Sequence, residues 1–196
     1  MVAEIKVLIE GYMKQIDGKD YATSSTIFIK DNQLNIIVDP GMNRKMLLDA
    51  LEKENLNIAD INFVILTHYH LDHSLLAGIF ENAKILDNNE SYSWNGEIGS
   101  HKRILSDNIE FISTPGHDPF HCSIMVKTKD LNNVIIAGDV FWWSESQEQK
   151  TNYDDLINLK DPYVKDEMKL LNSRKKILEI ADYIIPGHGK MFKVNK

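Results

Sequence analysis

Residues 67–73 read Thr67-His68-Tyr69-His70-Leu71-Asp72-His73, placing three histidines and an aspartate within six positions. The run follows Ile61-Asn62-Phe63-Val64-Ile65-Leu66, a mostly apolar stretch rich in β-branched residues that reads as a buried strand. A second apolar segment, Leu75 to Phe80, comes after it. A chain with this feature has to end a core strand in a loop that crowds four strongly hydrated side chains together. Such crowding is costly unless the groups find partners. Histidine with carboxylate is the donor set that divalent transition metals take. A rigid strand that delivers ligands to an exposed loop suits a metal site open to substrate.

The same arrangement recurs along the chain. Thr114-Pro115-Gly116-His117 follows Phe111-Ile112, and His121 comes four residues later. Ala137-Gly138-Asp139 ends Val134-Ile135-Ile136, and Pro186-Gly187-His188-Gly189 ends Tyr183-Ile184-Ile185. Each time a small residue or turn sets a His or Asp just past a strand. Six of the seven histidines fall in these places, His101 being the exception. Histidines serving the core independently would scatter more evenly.

The remaining elements frame these positions. Glu4 to Tyr12 alternates loosely and predicts a first strand. Thr23 to Lys30 and Leu34 to Val38 predict a hairpin around Asp31-Asn32-Gln33, and Asp39-Pro40-Gly41 stops its second strand. Asn43 to Asn55 carries apolar residues at helical spacing, with Asn43 as cap. Ala83 to Leu86, two pieces within Ile104 to Ile112, His121 to Thr128, Val134 to Ala137 and Tyr183 to Ile185 predict strands. Phe141 to Asp161 reads as loop, and Tyr163 to Ile180 is the strongest helix. This order predicts sheets covered by helices, an α+β or layered arrangement.

The 196 residues suffice for one sizeable domain, expected to span 1–196. A net charge of −7 makes the global field repel polyanions, which weighs against nucleic-acid binding. The single cysteine, Cys122, rules out an intrachain disulfide and fits a reducing compartment. The first ten residues do not read as a signal peptide, and no run reaches the roughly 20 apolar residues of a membrane span. A cytoplasmic protein without membrane contact is the expectation.

Taken together, T-H-Y-H-L-D-H, T-P-G-H, A-G-D and P-G-H-G, in this order and with the preamble Asn35 to Gly41, resemble the metallo-β-lactamase superfamily. The resemblance spans nearly the whole chain and implies an α+β fold, a four-layer αββα sandwich with metals at one edge. By motif, His68, His70 and His117 would bind a first metal, Asp72, His73 and His188 a second, and Asp139 would bridge them. It implies two divalent ions, zinc foremost, with iron or manganese also compatible with the donors. Asp72 would also act catalytically, by hydrogen-bonding a hydroxide shared by the two metals. The implied activity is hydrolysis of an ester, thioester, lactone or phosphodiester, with a small-molecule substrate as the expected partner. An endonuclease or phosphodiesterase acting on RNA or DNA is the alternative, and a di-iron redox or sensing role a third reading.

Departures from the family pattern sharpen this. Aspartate at the bridge, with no cysteine near the second set, points away from antibiotic hydrolysis. Phe120 stands where the family often has glycine. No extra helical, nuclease or flavin domain is discernible, so the chain reads as a compact member. Asp118 reads as a turn residue or as an orienter of an imidazole. His121 is expected to sit behind the ligands, His101 at the surface, and Cys122 as a small buried residue. Arg174, Lys175 and Lys176, with Lys165 and Lys169, read as a solvated helix face or as phosphate contacts. Phe141-Trp142-Trp143 would wall a pocket or pack in the core, and Tyr69 would face the pocket or turn away.

Overall fold

The computed structural model describes residues 2–195. In chain order the strands are β1 (Glu4–Ile9), β2 (Tyr12–Ile16), β3 (Lys19–Thr23), β4 (Thr26–Asp31), β5 (Leu34–Val38), β6 (Phe63–Ile65), β7 (Lys84–Leu86), β8 (Glu90–Tyr92), β9 (Ile98–Ser100), β10 (Ile104–Ser106), β11 (Ile109–Ser113), β12 (Cys122–Thr128), β13 (Asn132–Trp142), β14 (Tyr183–His188) and β15 (Phe192–Lys193). The α-helices are α1 (Arg44–Lys53), α2 (Leu71–Ser74), α3 (Tyr153–Ile157) and α4 (Glu167–Ile180). Among the described residues the strands form a seven-stranded sheet, β1-β4-β5-β6-β7-β8-β9, a six-stranded sheet, β10-β11-β12-β13-β14-β15, and the hairpin β2-β3.

Side-chain alternation sorts the core into layers. Ile27, Ile29, Ile36, Val38 and Ile65 of one sheet meet Phe111, Ile124, Val126, Val134 and Ile136 of the other. Their neighbours one residue along point the opposite way, as a period of two requires. Ile37 and Val64 pack with Leu47 and Leu51 of α1. Ile135, Ala137 and Ile184 pack with Leu170, Ile177 and Leu178 of α4. The result is the expected α+β, four-layer αββα sandwich. The parallel strands β5 and β6 of one sheet and β13 and β14 of the other run toward the same rim, where the candidate ligands lie. At the opposite rim, buried Asp31 of β4 accepts from Ser106 Oγ and Asn108 Nδ2, tying the two sheets together.

Several local expectations hold. The α1 helix is capped as read, with Asn43 Oδ1 accepting from Met46 N at 3.2 Å. The hairpin turn at Asn32 adopts φ +54°, a value asparagine tolerates better than most residues. Cys122 is fully buried, and burial pushes its thiol pKa well up.

Others need correction. The first strand stops at Ile9, and residues 12–23 form a hairpin that was not foreseen, turning at Asp17-Gly18 with both φ positive. Asp-Gly between alternating residues is a hairpin signal. The β13 strand continues to Trp142, so Phe141 and Trp142 are sheet residues rather than loop, and α3 interrupts the rest of that segment. Helix α4 begins at Glu167 rather than Tyr163, because the N–H groups of Lys165 and Asp166 are committed to Gly116 O and the Asp166 carboxylate caps Lys169 N. The basic cluster does not form a common face. Arg174 is buried, donating to Val140 O, Ile157 O and Leu159 O, while Lys169 pairs with Asp166. His101 is half-buried, with its ring nitrogens against Lys102 O and Asp87 O and its ring against Phe111. Among the described residues no helix is long and apolar enough to cross a membrane.

Candidate metal centre

Strand ends distant in sequence converge at the rim. β6 releases Thr67, His68 and His70, and the single turn of α2 that follows carries Asp72 and His73. The turn after β11 brings His117, β13 brings Asp139, and β14 ends at His188. The donor atoms of His68, His70, His117 and Asp139 lie within 4.8 Å of one another, as do those of Asp72, His73 and His188. Asp139 faces both groups with different oxygens. Its Oδ2 is 3.4 Å from His117 Nε2 and 3.9 Å from His68 Nε2, while Oδ1 is 3.2 Å from His73 Nε2 and 3.8 Å from His188 Nε2. Asp72 Oδ2 lies 3.1 Å from His188 Nε2, and His70 Nδ1 lies 3.2 Å from His117 Nε2.

Behind the cluster, the other imidazole nitrogens are anchored. His73 Nδ1–H donates to Asp39 Oδ2 at 2.8 Å, and His117 Nδ1–H to Asp161 Oδ2 at 2.7 Å. His188 Nδ1–H donates to Tyr12 O at 3.1 Å. Asp39 also accepts from Thr67 through both N–H and hydroxyl, so the Thr67 hydroxyl is left to accept from His68 Nδ1–H at 3.0 Å. These bonds fix one tautomer, with Nε2 lone pairs turned inward. His121 sits behind the candidate ligands as expected. Its Nε2 accepts from Asp139 N, its Nδ1–H donates to the Thr114 hydroxyl, and burial drives its pKa down to about 3.

Whether metal fits can be judged from what is left unpaired. Among the described residues, His68 Nε2, His73 Nε2 and Asp139 Oδ1 are buried without a hydrogen-bond partner. The last two lie 3.2 Å apart. Buried polar atoms are rarely left so, and here they face one another. The electrostatics agree. Burial pushes the Asp139 carboxyl up, but His73 and His188 outweigh it and hold the pKa well below the usual range. Burial and the neighbouring His73 hold His68 well below its ordinary value. For His73, burial is outweighed by the Asp139 and Asp39 carboxylates, which raise it well above. The metal-free cluster therefore keeps a proton where a cation is wanted. Five imidazoles, four of them anchored from behind, and two carboxylates, open in front, fit a pair of divalent ions.

The backbone permits this closeness at one demanding position. A Cβ on Gly187 would lie 1.8 Å from Asp139 Oδ1, so only glycine lets β14 pass beside the Asp139 carboxylate. In front of the cluster lies a cavity of about 460 Å3, with Met13, Ala22, Met42, Leu71, Trp142 and Tyr163 as walls and His70, Asp72, Asp139 and His188 at its floor. Among the described residues, Asp20 is the one charged residue on its wall away from the floor. Of the three aromatics after Asp139, Trp142 lines the cavity, whereas Phe141 and Trp143 pack in the core against α4 and Phe192. Tyr69 turns away and donates to Asp87. Asp118 serves the turn, its Oδ1 accepting from Phe120 N.

Two supporting carboxylates escaped the sequence reading. Asp39 follows a core strand as the other site residues do, and that pattern points to it. Asp161 lies 44 positions from His117 on an irregular segment, and no local signal marks it.

The model of the metallo-beta-lactamase superfamily matches residues 21–87. Metallo-beta-lactamase domain-containing protein 1 of Xenopus laevis is 31% identical over 202 residues, spanning 98% of this chain and 82% of the relative. A protein of Methanocaldococcus jannaschii named as a probable metallo-hydrolase is 33% identical, spanning 96% of this chain and 89% of its own. Among solved structures, a dizinc quorum-quenching lactonase superposes with a TM-score of 0.66 at 16% identity, covering 87% of this chain and 73% of that one. The chain belongs to the metallo-beta-lactamase superfamily of metal-dependent hydrolases.

Proposed function

We propose that the chain uses a dinuclear, zinc-type centre to hydrolyse small acyl compounds, namely esters, lactones or thioesters carrying an apolar chain. The observation that carries this reading is the cavity in front of the cluster. Its walls are apolar apart from Asp20, its volume lies in the range of small-molecule sites, and among the described residues no lysine or arginine lines it. A polyanion would meet Asp20 and Asp72 without a compensating cation from the protein, which disfavours the nucleic-acid alternative.

In this reading His68, His70 and His117 would hold one ion, Asp72, His73 and His188 the other, with Asp139 able to contribute to both. Bound there, the pair would supply Lewis acidity and lower the pKa of water to about 7. The protein's own groups do the rest. Burial raises the Asp72 carboxyl, but the neighbouring His188 and His73 imidazoles bring it below its ordinary value. It is therefore ionised at neutral pH and accepts a hydrogen bond from the attacking water. Trp142 and Tyr163 shield the floor from bulk solvent, and Met13, Met42 and Leu71 hold the acyl chain.

The test is a substrate panel on zinc-loaded, manganese-loaded and iron-loaded protein. It compares p-nitrophenyl esters of increasing chain length, a γ-lactone and an acyl thioester with bis(p-nitrophenyl) phosphate and single-stranded RNA. Turnover of the acyl set, rising with chain length up to the cavity's limit, is expected. Turnover confined to the phosphodiesters would reverse the assignment.

A further inference from the structure

His117 differs from the other candidate ligands in how it is held. Its carboxylate partner Asp161 comes from segment 157–166, which belongs to neither sheet. Both side chains are almost wholly buried, at 1% exposure each. The same segment grips the backbone beside His117, where Gly116 O accepts from Lys165 N at 2.8 Å and Asp166 N at 2.9 Å. Gly116 itself adopts φ +141°, and a Cβ there would meet Leu170 N at 2.3 Å. At its other end the segment is fixed by the buried Arg174, which donates to Ile157 O and Leu159 O.

The segment also reaches the cavity. Asp161 Oδ1 accepts from Tyr163 N at 3.0 Å, and the Tyr163 side chain forms part of the cavity wall. The Tyr163 ring leans on Trp142 at 5.8 Å, and Trp142 meets His188 at 6.0 Å. One irregular stretch thus touches a candidate ligand from each set, His117 directly and His188 through an indole.

We infer that Asp161 is the positioning residue for His117, and that segment 157–166 thereby sets the affinity of the His68, His70, His117 metal position. The inference rests on the metal-centre reading above. A carboxylate on Nδ1–H fixes the tautomer that aims Nε2 at the metal and makes that nitrogen a stronger donor. Asp118, the carboxylate next to His117 in sequence, is committed to Phe120 N and does not substitute for Asp161.

The experiment is a zinc competition titration with a chromophoric chelator on wild type, D161N, D161A and D161E. Circular dichroism checks folding, and the isosteric D161N covers the case in which D161A does not fold. Wild type is expected to bind two equivalents. In D161N and D161A one equivalent should weaken by about 10- to 100-fold while the other is retained, with partial recovery in D161E. Cobalt-loaded D161N should show altered visible bands for one of its two ions, a change that general loosening of the fold does not produce selectively. Two equivalents held by D161N as tightly as by wild type would overturn the inference alone. Failure of wild type itself to bind zinc would overturn the metal centre and the inference with it.

Discussion

Asp139 offers one carboxylate oxygen to each group of histidines, so its replacement is expected to act on both. Asp139→Asn should lower bound zinc from two equivalents to one or fewer, measured by elemental analysis after gel filtration. His188→Ala should instead lose a single equivalent, because His188 lies with the second set. Gly187→Ala tests the same point without touching a ligand. A methyl group there collides with Asp139 Oδ1, so zinc binding should fall although every candidate donor remains. The charge on His73 gives a further handle. The Asp39 and Asp139 carboxylates raise its pKa, so the metal-free protein holds a proton there that a metal must displace. Metal affinity should therefore rise with pH through the neutral range. Calorimetric titrations in buffers of different ionisation enthalpy should show proton release on zinc binding; pH-independent binding without release would contradict this.

Single elements contribute separable properties. The β2-β3 hairpin places the cross-strand pair Met13 and Ala22 in the cavity wall, so Ala22→Phe should raise KM for long-chain esters by about 10-fold or more and leave acetate esters little changed. Arg174 joins α4 to β13 and to segment 157–166 through three carbonyls. Arg174→Met leaves those carbonyls unpaired in a buried place, and an expected loss of about 2–4 kcal/mol is measurable by denaturant unfolding. At this scale the limits of sequence reading are also clear. The seven candidate ligands could be picked out because each sits close behind a core strand, and core strands announce themselves by β-branched residues. The hairpin was missed although Asp17-Gly18 marks its turn, because its strands are largely exposed and lack an apolar face. Arg174 was misread because its helical position resembles that of the exposed Lys175, and only the packing of α4 on β13 separates them. Asp161 is legible only in three dimensions.

On the scale of the whole molecule, the two sheets meet differently at their two rims. One rim is tied by a complete polar contact, Asp31 with Ser106 and Asn108. The other is joined by backbone bonds such as Cys122 N to Thr67 O and Ser25 N to Gly187 O, around a cluster that leaves three buried atoms unpaired. Ions bound there stabilise the fold by mass action, about 4 kcal/mol per site at a thousandfold excess over Kd. Chelation should accordingly lower the melting temperature by on the order of 10 °C. Hydrogen exchange offers a finer view, because local openings need not involve the whole chain. After chelation, amides of residues 67–74 and 114–121 should exchange faster, while those around Asn32 and Asn108 stay protected. The sandwich then behaves as a book bound along one edge. Its spine is the Asp31 contact, metals bound at the candidate centre would be the clasp on the fore-edge, and an empty protein would be one whose pages part on the side of the candidate ligands.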